Sequence, residues 1–201
     1  GAGFMGHNLA LYLQSQNYEV TIIDSLSVNN LLNVINVNHN DTDKNLLDNL
    51  ILNQRLNLIK KNRIKFIIQD ARDYHLLSKN LDNVKPHILV HLAAVSHSTQ
   101  SNKDPFNTFD HSFRTLENSL DNAKNKVEHF IYVSSSMVYG NFKTDIVTED
   151  YHCEPMGIYG ALKYSGEKLV IAYNQVFDLP YTIIRPSALY GERCISRRVG
   201  Q

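Results

Sequence analysis

A surplus of either charge, cysteine and long apolar runs are what this 201-residue sequence lacks. Lys+Arg and Asp+Glu each number 20, so no basic excess points to nucleic acid or to an anionic membrane surface, and any anionic ligand has to be held locally. The two cysteines, Cys153 and Cys194, are too few for a disulfide scaffold and fit no zinc spacing, which predicts a reducing, cytoplasmic setting. Nine histidines are scattered along the chain with no HExxH, so no metal site is expected. No apolar run approaches the roughly 20 residues needed to span a bilayer, and the opening lacks the pattern of a secretory leader. The 43% hydrophobic content is ordinary for a globular protein with one well-buried domain and no internal repeat.

What is present is an alternation. After the opening glycines, FMGHNLALYLQSQ carries apolar residues at helical spacing and YEVTIID reads as a short buried strand ending on Asp24. Residues 28–62 are rich in Asn. Leu46, Leu47, Leu50 and Ile51 nevertheless recur at helical intervals, predicting a polar loop and then an amphipathic helix rather than a prion-like tract. RIKFIIQD, PHILVHLAA, VEHFIYVSSS and LPYTIIRPS read as further strands, separated by helices over ARDYHLLSKNL, over roughly 106–124, and over the stretch that begins near 156. Nearly continuous apolar strands alternating with helices predict an α/β protein with a doubly wound parallel sheet.

Ligands of such a sheet bind at the carboxyl edge of its strands. Gly1, Gly3 and Gly6, with Phe4 and Met5 between them, fit G-x-G-x-x-G, in which glycine lets the backbone approach a pyrophosphate seated on the following helix N-terminus. Glycine clusters also mark plain turns, but here a helix and a strand follow. Asp24 then stands close to the spacing at which a carboxylate meets the adenosine ribose hydroxyls, although a strand-end cap would look the same. A carboxylate there repels a 2′-phosphate, so NAD is expected over NADP. At later strand ends, Asp70 and Ala71 are placed for an adenine ring, Leu92, Ala93 and Ala94 are small enough or apolar enough to lie against a cofactor, and Ser134 offers a hydroxyl. Close packing explains the alanines equally well, and serines at strand ends commonly cap turns.

GIYGALKYSGE places Tyr159 four residues before Lys163 among small residues. Such pairs often only pack a stem on a ring. The chemical alternative is that a close cation stabilises the phenolate of a group whose free pKa is about 10. A dinucleotide, a strand-end hydroxyl and a phenol with an ammonium together make a hydride-transfer site.

Taken together, GAGFMG, HLAA, SSSMVYG, YGALK and RPSALYG resemble the extended short-chain dehydrogenase/reductase superfamily, and within it the NAD-dependent epimerase/dehydratase family acting on nucleotide sugars. The resemblance runs the whole length. It implies a Rossmann domain over 1–201, a substrate-binding region starting near 187–201, and a first strand and C-terminal substrate domain lying outside this sequence. It implies Tyr159 as catalytic base, Lys163 as the residue that binds the nicotinamide ribose and lowers the tyrosine pKa, Ser135 as the catalytic hydroxyl with Ser136 as the fallback, and Pro186 among the cofactor contacts. Met137 stands where dehydratases and decarboxylases commonly carry an acid, which favours 4-epimerisation over a 4,6-dehydratase or keto-sugar reductase. Ala188 replaces a usual Asn, His111 stands near the place of another, and Ser96 lies where some members carry a lysine. A nucleotide-diphosphate sugar substrate and a homodimer are the implied partners. The non-enzymatic alternative is a catalytically silent NAD-sensing module, against which the Tyr/Lys pair argues.

Overall fold

The computed structural model describes residues 1–28, 30–32, 42–96 and 98–195, with side chains of the second helix described from residue 46. They fall into two compact units, one formed by the described residues of 1–71 with 188–195 and the other by those of 72–187.

In the first unit, helix α1 (Phe4–Ser15) follows the glycines directly and leads to strand β1 (Thr21–Asp24). Helix α2 (Thr42–Lys61) then leads to strand β2 (Lys65–Ile68). The strands pair in parallel, with Thr21 opposite Lys65 and Asp24 opposite Ile68. Ala2, Ala10, Ile22, Leu26, Ile59 and Ile64 form the core. Helix α2 is where the sequence reading placed one, but its buried stripe is different. Leu52, Arg55 and Ile59 are buried, whereas Leu46, Leu47 and Leu50 are exposed. Burial follows the helix face that meets the core, and the earlier leucines lie off that face. Much of the predicted polar loop, residues 29 and 33–41, lies outside the described residues.

The second unit runs through α3 (Tyr74–Val84), β3 (Ile88–His91), short helices α4 (Ser98–Lys103) and α5 (Pro105–Phe109), α6 (Thr115–Ala123), β4 (His129–Val133), α7 (Gly157–Phe177) and β5 (Tyr181–Ile184). Asp73 caps α3 by accepting from Leu76 N at 2.9 Å. The sheet order is β3-β4-β5, all parallel, with Ile88 opposite His129 and Phe130 opposite Tyr181. Parallel neighbours need crossovers, which α6 and α7 supply. Leu116, Leu120, Ala123, Phe130, Tyr132, Val170 and Leu179 make the core.

Two local features differ from the sequence reading. Helix α4 was not anticipated, and the expected single helix over 106–124 is interrupted by a π-helical turn at Asp110–Arg114. There the Thr115 hydroxyl donates back to His111 O at 3.0 Å and Ser112 O at 3.1 Å, while the Ser112 hydroxyl accepts from Val95 N at 3.0 Å. The widened turn ties this helical stretch to the segment that follows β3. Periodicity does not register such a turn, because it inserts one residue without ending the helix.

Candidate active site

Tyr159 lies in the first turn of α7, whose start is unusual. Gly157 has φ +71°, a left-handed conformation that glycine adopts without strain. No N-cap side chain serves this end, and Asn102 of α4 instead accepts from Ile158 N at 3.2 Å. Gly160 and Gly166 explain the small residues around the pair. A Cβ at Gly160 would lie 2.9 Å from Met137 O, and one at Gly166 would lie 2.3 Å from the Tyr132 hydroxyl and 2.9 Å from Leu116. Helix α7 is thereby pressed against β4, α6 and the 3₁₀ turn Ser136–Tyr139.

That closeness buries Lys163. Its Nζ donates to Val133 O at 2.7 Å and stands 5.1 Å from the centre of the Tyr132 ring. Burial pushes its ammonium down to about 8, against an opposing pull from the Glu167 carboxylate. Tyr159, half-buried, and Lys163 line one crevice with Thr108, Ser112, Tyr132 and Leu162. The two residues predicted to act together share a cavity wall.

Ser134 and Ser135 extend β4. Ser134 N donates to Ile184 O at 2.8 Å, continuing the parallel ladder. Its hydroxyl is buried and has no hydrogen-bond partner among the described residues. Ser135 caps the 3₁₀ turn, its hydroxyl accepting from Met137 N at 3.2 Å. That turn is the one packed on Gly160, next to Tyr159 in sequence. Ser136 N donates to Pro186 O at 2.9 Å, so half-buried Pro186 is fastened to the same loop. Leu92, Ala93 and Ala94, also half-buried, follow β3, and Ala93 O accepts from the Thr115 hydroxyl at 3.4 Å. His91, just before them, is buried with Nδ1 3.1 Å from the Ser119 hydroxyl and Nε2 unpartnered among the described residues. Burial first, and then Lys163, lower its pKa to about 3, so it is neutral.

In the first unit the three glycines divide by role. A Cβ at Gly6 would meet Gly1 O at 1.8 Å, and one at Gly1 would meet Ile22 and Ile23 O at 2.5 Å, so packing forbids both. A Cβ at Gly3 would meet nothing within 4 Å. No side chain caps α1 and no acidic residue lies in its first turn, which leaves its N–H groups to an anion. His7 Nε2 accepts from Arg193 Nε at 2.9 Å, so its Nδ1 carries the proton donated to Gly3 O at 2.9 Å. Burial lowers its pKa to about 4 and keeps it neutral. Phe4 and Met5 are half-buried beside these groups.

Asp24, at the end of β1, is fully engaged. Its Oδ2 accepts from Gly1 N and from Ala2 N, both at 2.8 Å, and its Oδ1 accepts from Leu26 N at 2.7 Å and Asn30 Nδ2 at 3.0 Å. Asp70 and Ala71, both half-buried, follow β2.

Tyr132, which lines the crevice, and His91, Asn102, Glu167 and Arg185, which surround it, are residues of the candidate site that sequence reasoning missed. Only Glu167 had a readable signal, standing four residues after Lys163 and eight after Tyr159.

The strands, crossovers and glycine loop define a Rossmann-like α/β fold. A UDP-glucose 4-epimerase structure from Brucella ovis in complex with NAD matches it with TM-score 0.74 at 22% identity, covering 92% of this chain and 49% of that one. The chain belongs to the NAD dependent epimerase/dehydratase family, whose model matches residues 1–200. A UDP-glucuronic acid 4-epimerase from Bacillus cereus, solved in complex with NAD, is 27% identical with TM-score 0.74 over 96% of this chain and 56% of that one. A dTDP-D-glucose 4,6-dehydratase of Dictyostelium discoideum is 28% identical over 96% of this chain and 43% of that protein. The chain thus spans about half the length of the curated relatives it matches.

Proposed function

We propose that this chain is the NAD-binding and catalytic part of a nucleotide-sugar 4-epimerase. The observation that carries the reading is the shared crevice of Tyr159 and Lys163, with Lys163 buried at the carboxyl end of β4. Residues 1–201 form the Rossmann domain in this reading, and a substrate-binding region begins near 187–201.

The residues fit the cofactor. In the first unit, the uncapped start of α1 and the open space at Gly3 suit a pyrophosphate. Asp24 can accept a ribose hydroxyl if the Asn30 amide, a side-chain donor, gives way, and Asp70 with Ala71 suits the adenine. In the second unit, taken by itself, the Ser134 hydroxyl, which has no hydrogen-bond partner among the described residues, and Leu92, Ala93, Ala94 and Pro186 are the proposed cofactor contacts. When bound, NAD supplies the hydride acceptor and then the donor.

Tyr159 acts as the base that takes the proton of the sugar hydroxyl as the ring carbon is oxidised, and returns it after the keto sugar has turned over. Lys163 stabilises the phenolate, each unit of tyrosine pKa corresponding to about 1.4 kcal/mol. Ser135 hydrogen bonds to the same sugar oxygen. Met137 offers no carboxyl group to expel water, which favours epimerisation over 4,6-dehydration. We further propose a cytoplasmic homodimer joined through the helical stretch 105–123 and α7, where Phe106 and Ile158 are exposed.

Incubation with UDP-, GDP- and dTDP-sugars, with products identified by NMR, is expected to give a 4-epimer without net NADH. A dehydrated product, or stoichiometric cofactor turnover, would replace this reading by dehydratase or reductase. Tyr159→Phe is expected to keep NAD affinity within a few-fold and to lower turnover about 10³-fold or more. Turnover at the wild-type rate would remove Tyr159 from the mechanism, whereas NAD binding with no turnover of any sugar by the unmodified protein would leave an NAD-sensing module.

A further inference from the structure

The Tyr159/Lys163 stripe continues one turn further along α7 to Glu167, which is 1% exposed. An unpaired carboxylate at that depth would cost several kcal/mol in lost hydration. Its partner comes from just beyond β5. Arg185 donates from Nε to Oε1 at 2.9 Å and from Nη2 to Oε2 at 2.7 Å, a bidentate fork. The remaining nitrogen, Nη1, donates to the Tyr139 hydroxyl at 3.1 Å and to Glu149 O at 2.8 Å, and the guanidinium lies 4.9 Å from the Tyr139 ring centre. Besides the loop at Glu149, one cation therefore joins three segments. These are the helix that carries Tyr159 and Lys163, the turn that follows Ser135, and the strand end that carries Pro186.

A buried ion pair is a poor route to stability, since apolar residues of similar volume do as well or better. Its position suggests another use. We infer that Glu167 and Arg185 are positioning residues for the proposed hydride-transfer site: Glu167 is the buried counter-charge of Lys163, and Arg185 fastens that carboxylate to the loop bearing Ser135. This rests on the roles given to Tyr159 and Lys163 above.

The groups facing Lys163 can be taken element by element. Tyr159 and Glu167 come from its own helix, Tyr132 from β4, and His91 from β3, while Thr108 and Ser112 are uncharged. His91 is neutral, and Tyr132 is held protonated because burial, followed by Glu167, raises its pKa. Glu167 is then the anion of the set, with Arg185 behind it. Removing its charge leaves burial unopposed, so the ammonium becomes easier to deprotonate.

The test is an NMR titration of the lysine side chains, with Lys163 assigned by its loss in Lys163→Arg. The wild-type midpoint is expected at about 8. Glu167→Gln is expected to lower it by about one unit, a tenfold weaker proton affinity, whereas Glu167→Asp, which keeps the charge, is expected to restore it. An unmoved midpoint in folded Glu167→Gln overturns the proposal. Where that variant fails to fold, Glu167→Gln/Arg185→Gln, with a neutral amide in each place, is expected to lower the midpoint by less, because the repulsion of Arg185 goes with the attraction of the nearer carboxylate, and an unmoved midpoint there overturns the proposal as well. If neither folds, the pair is a brace alone and the proposal falls. The titration needs neither cofactor nor sugar, so an inactive protein that shows the shift would fault the assigned reaction and not the counter-charge.

Discussion

The two compact units use their polar residues in opposite ways. In the first, polar groups are consumed by structure: four donors surround Asp24, Arg193 grips His7 and Asn8, and buried Arg55 holds Arg193 O through Nε at 3.1 Å and Nη2 at 2.5 Å. What remains open there is backbone, at Gly3 and at the start of α1. In the second, side chains are left in costly states: a Ser134 hydroxyl and a His91 nitrogen with no hydrogen-bond partner among the described residues, and a lysine buried against its preference for water. The contrast teaches that main-chain shape carries the proposed function in one unit and side-chain chemistry carries it in the other.

Glycine substitution tests the first half of that contrast and has the largest expected effect. Gly6→Ala forces a Cβ to within 1.8 Å of a backbone carbonyl and is expected to cost about 3 kcal/mol or more, read by chemical denaturation. Gly3→Ala meets nothing. It is expected to change stability by less than about 0.5 kcal/mol while weakening NAD about tenfold. Equal destabilisation by the two would erase the distinction between packing glycine and ligand glycine.

Acid tests the second half. The folded pKa of His91, about 3, lies below its unfolded value, so between those values protons bind the unfolded chain alone. Stability is therefore full above pH 6.5 and is lost as the pH falls, by about 2 kcal/mol on reaching pH 5. His91→Gln is expected to remove that part and so to roughly halve the acid loss down to pH 5, leaving the comparable part due to His7, whose folded pKa is about 4. An unchanged slope would mean that His91 does not stay neutral. The smallest effect is expected from Ser134→Ala, which removes a buried hydroxyl without a partner and should raise stability by up to about 1 kcal/mol while weakening cofactor binding. Lower stability would show that the hydroxyl is already satisfied.

Much of this was legible before the fold was known. Alternating apolar runs and helical periods located the strands and the principal helices, because burial on a parallel sheet imposes those patterns on residues close in sequence. Tyr159 and Lys163 were legible for the same local reason, four residues being one helical turn. The buried face of α2 was misread toward Leu46, Leu47 and Leu50, since a helix rich in leucine offers more than one apolar stripe and only its neighbours choose between them. The pairing of Glu167 with Arg185 spans 18 residues and two elements, and no period connects them.

The sequence by itself determined the order of strands and helices, the glycine loop, and the spacing of phenol and ammonium, because each is set by contacts within a few residues. Tertiary structure alone decided that Gly3 is open while Gly6 is sealed, that Arg55 is buried where leucines are not, and that Lys163 is stripped of water beside a paired carboxylate. Each of those depends on desolvation, which is fixed by what packs against a residue and not by what precedes it in the chain.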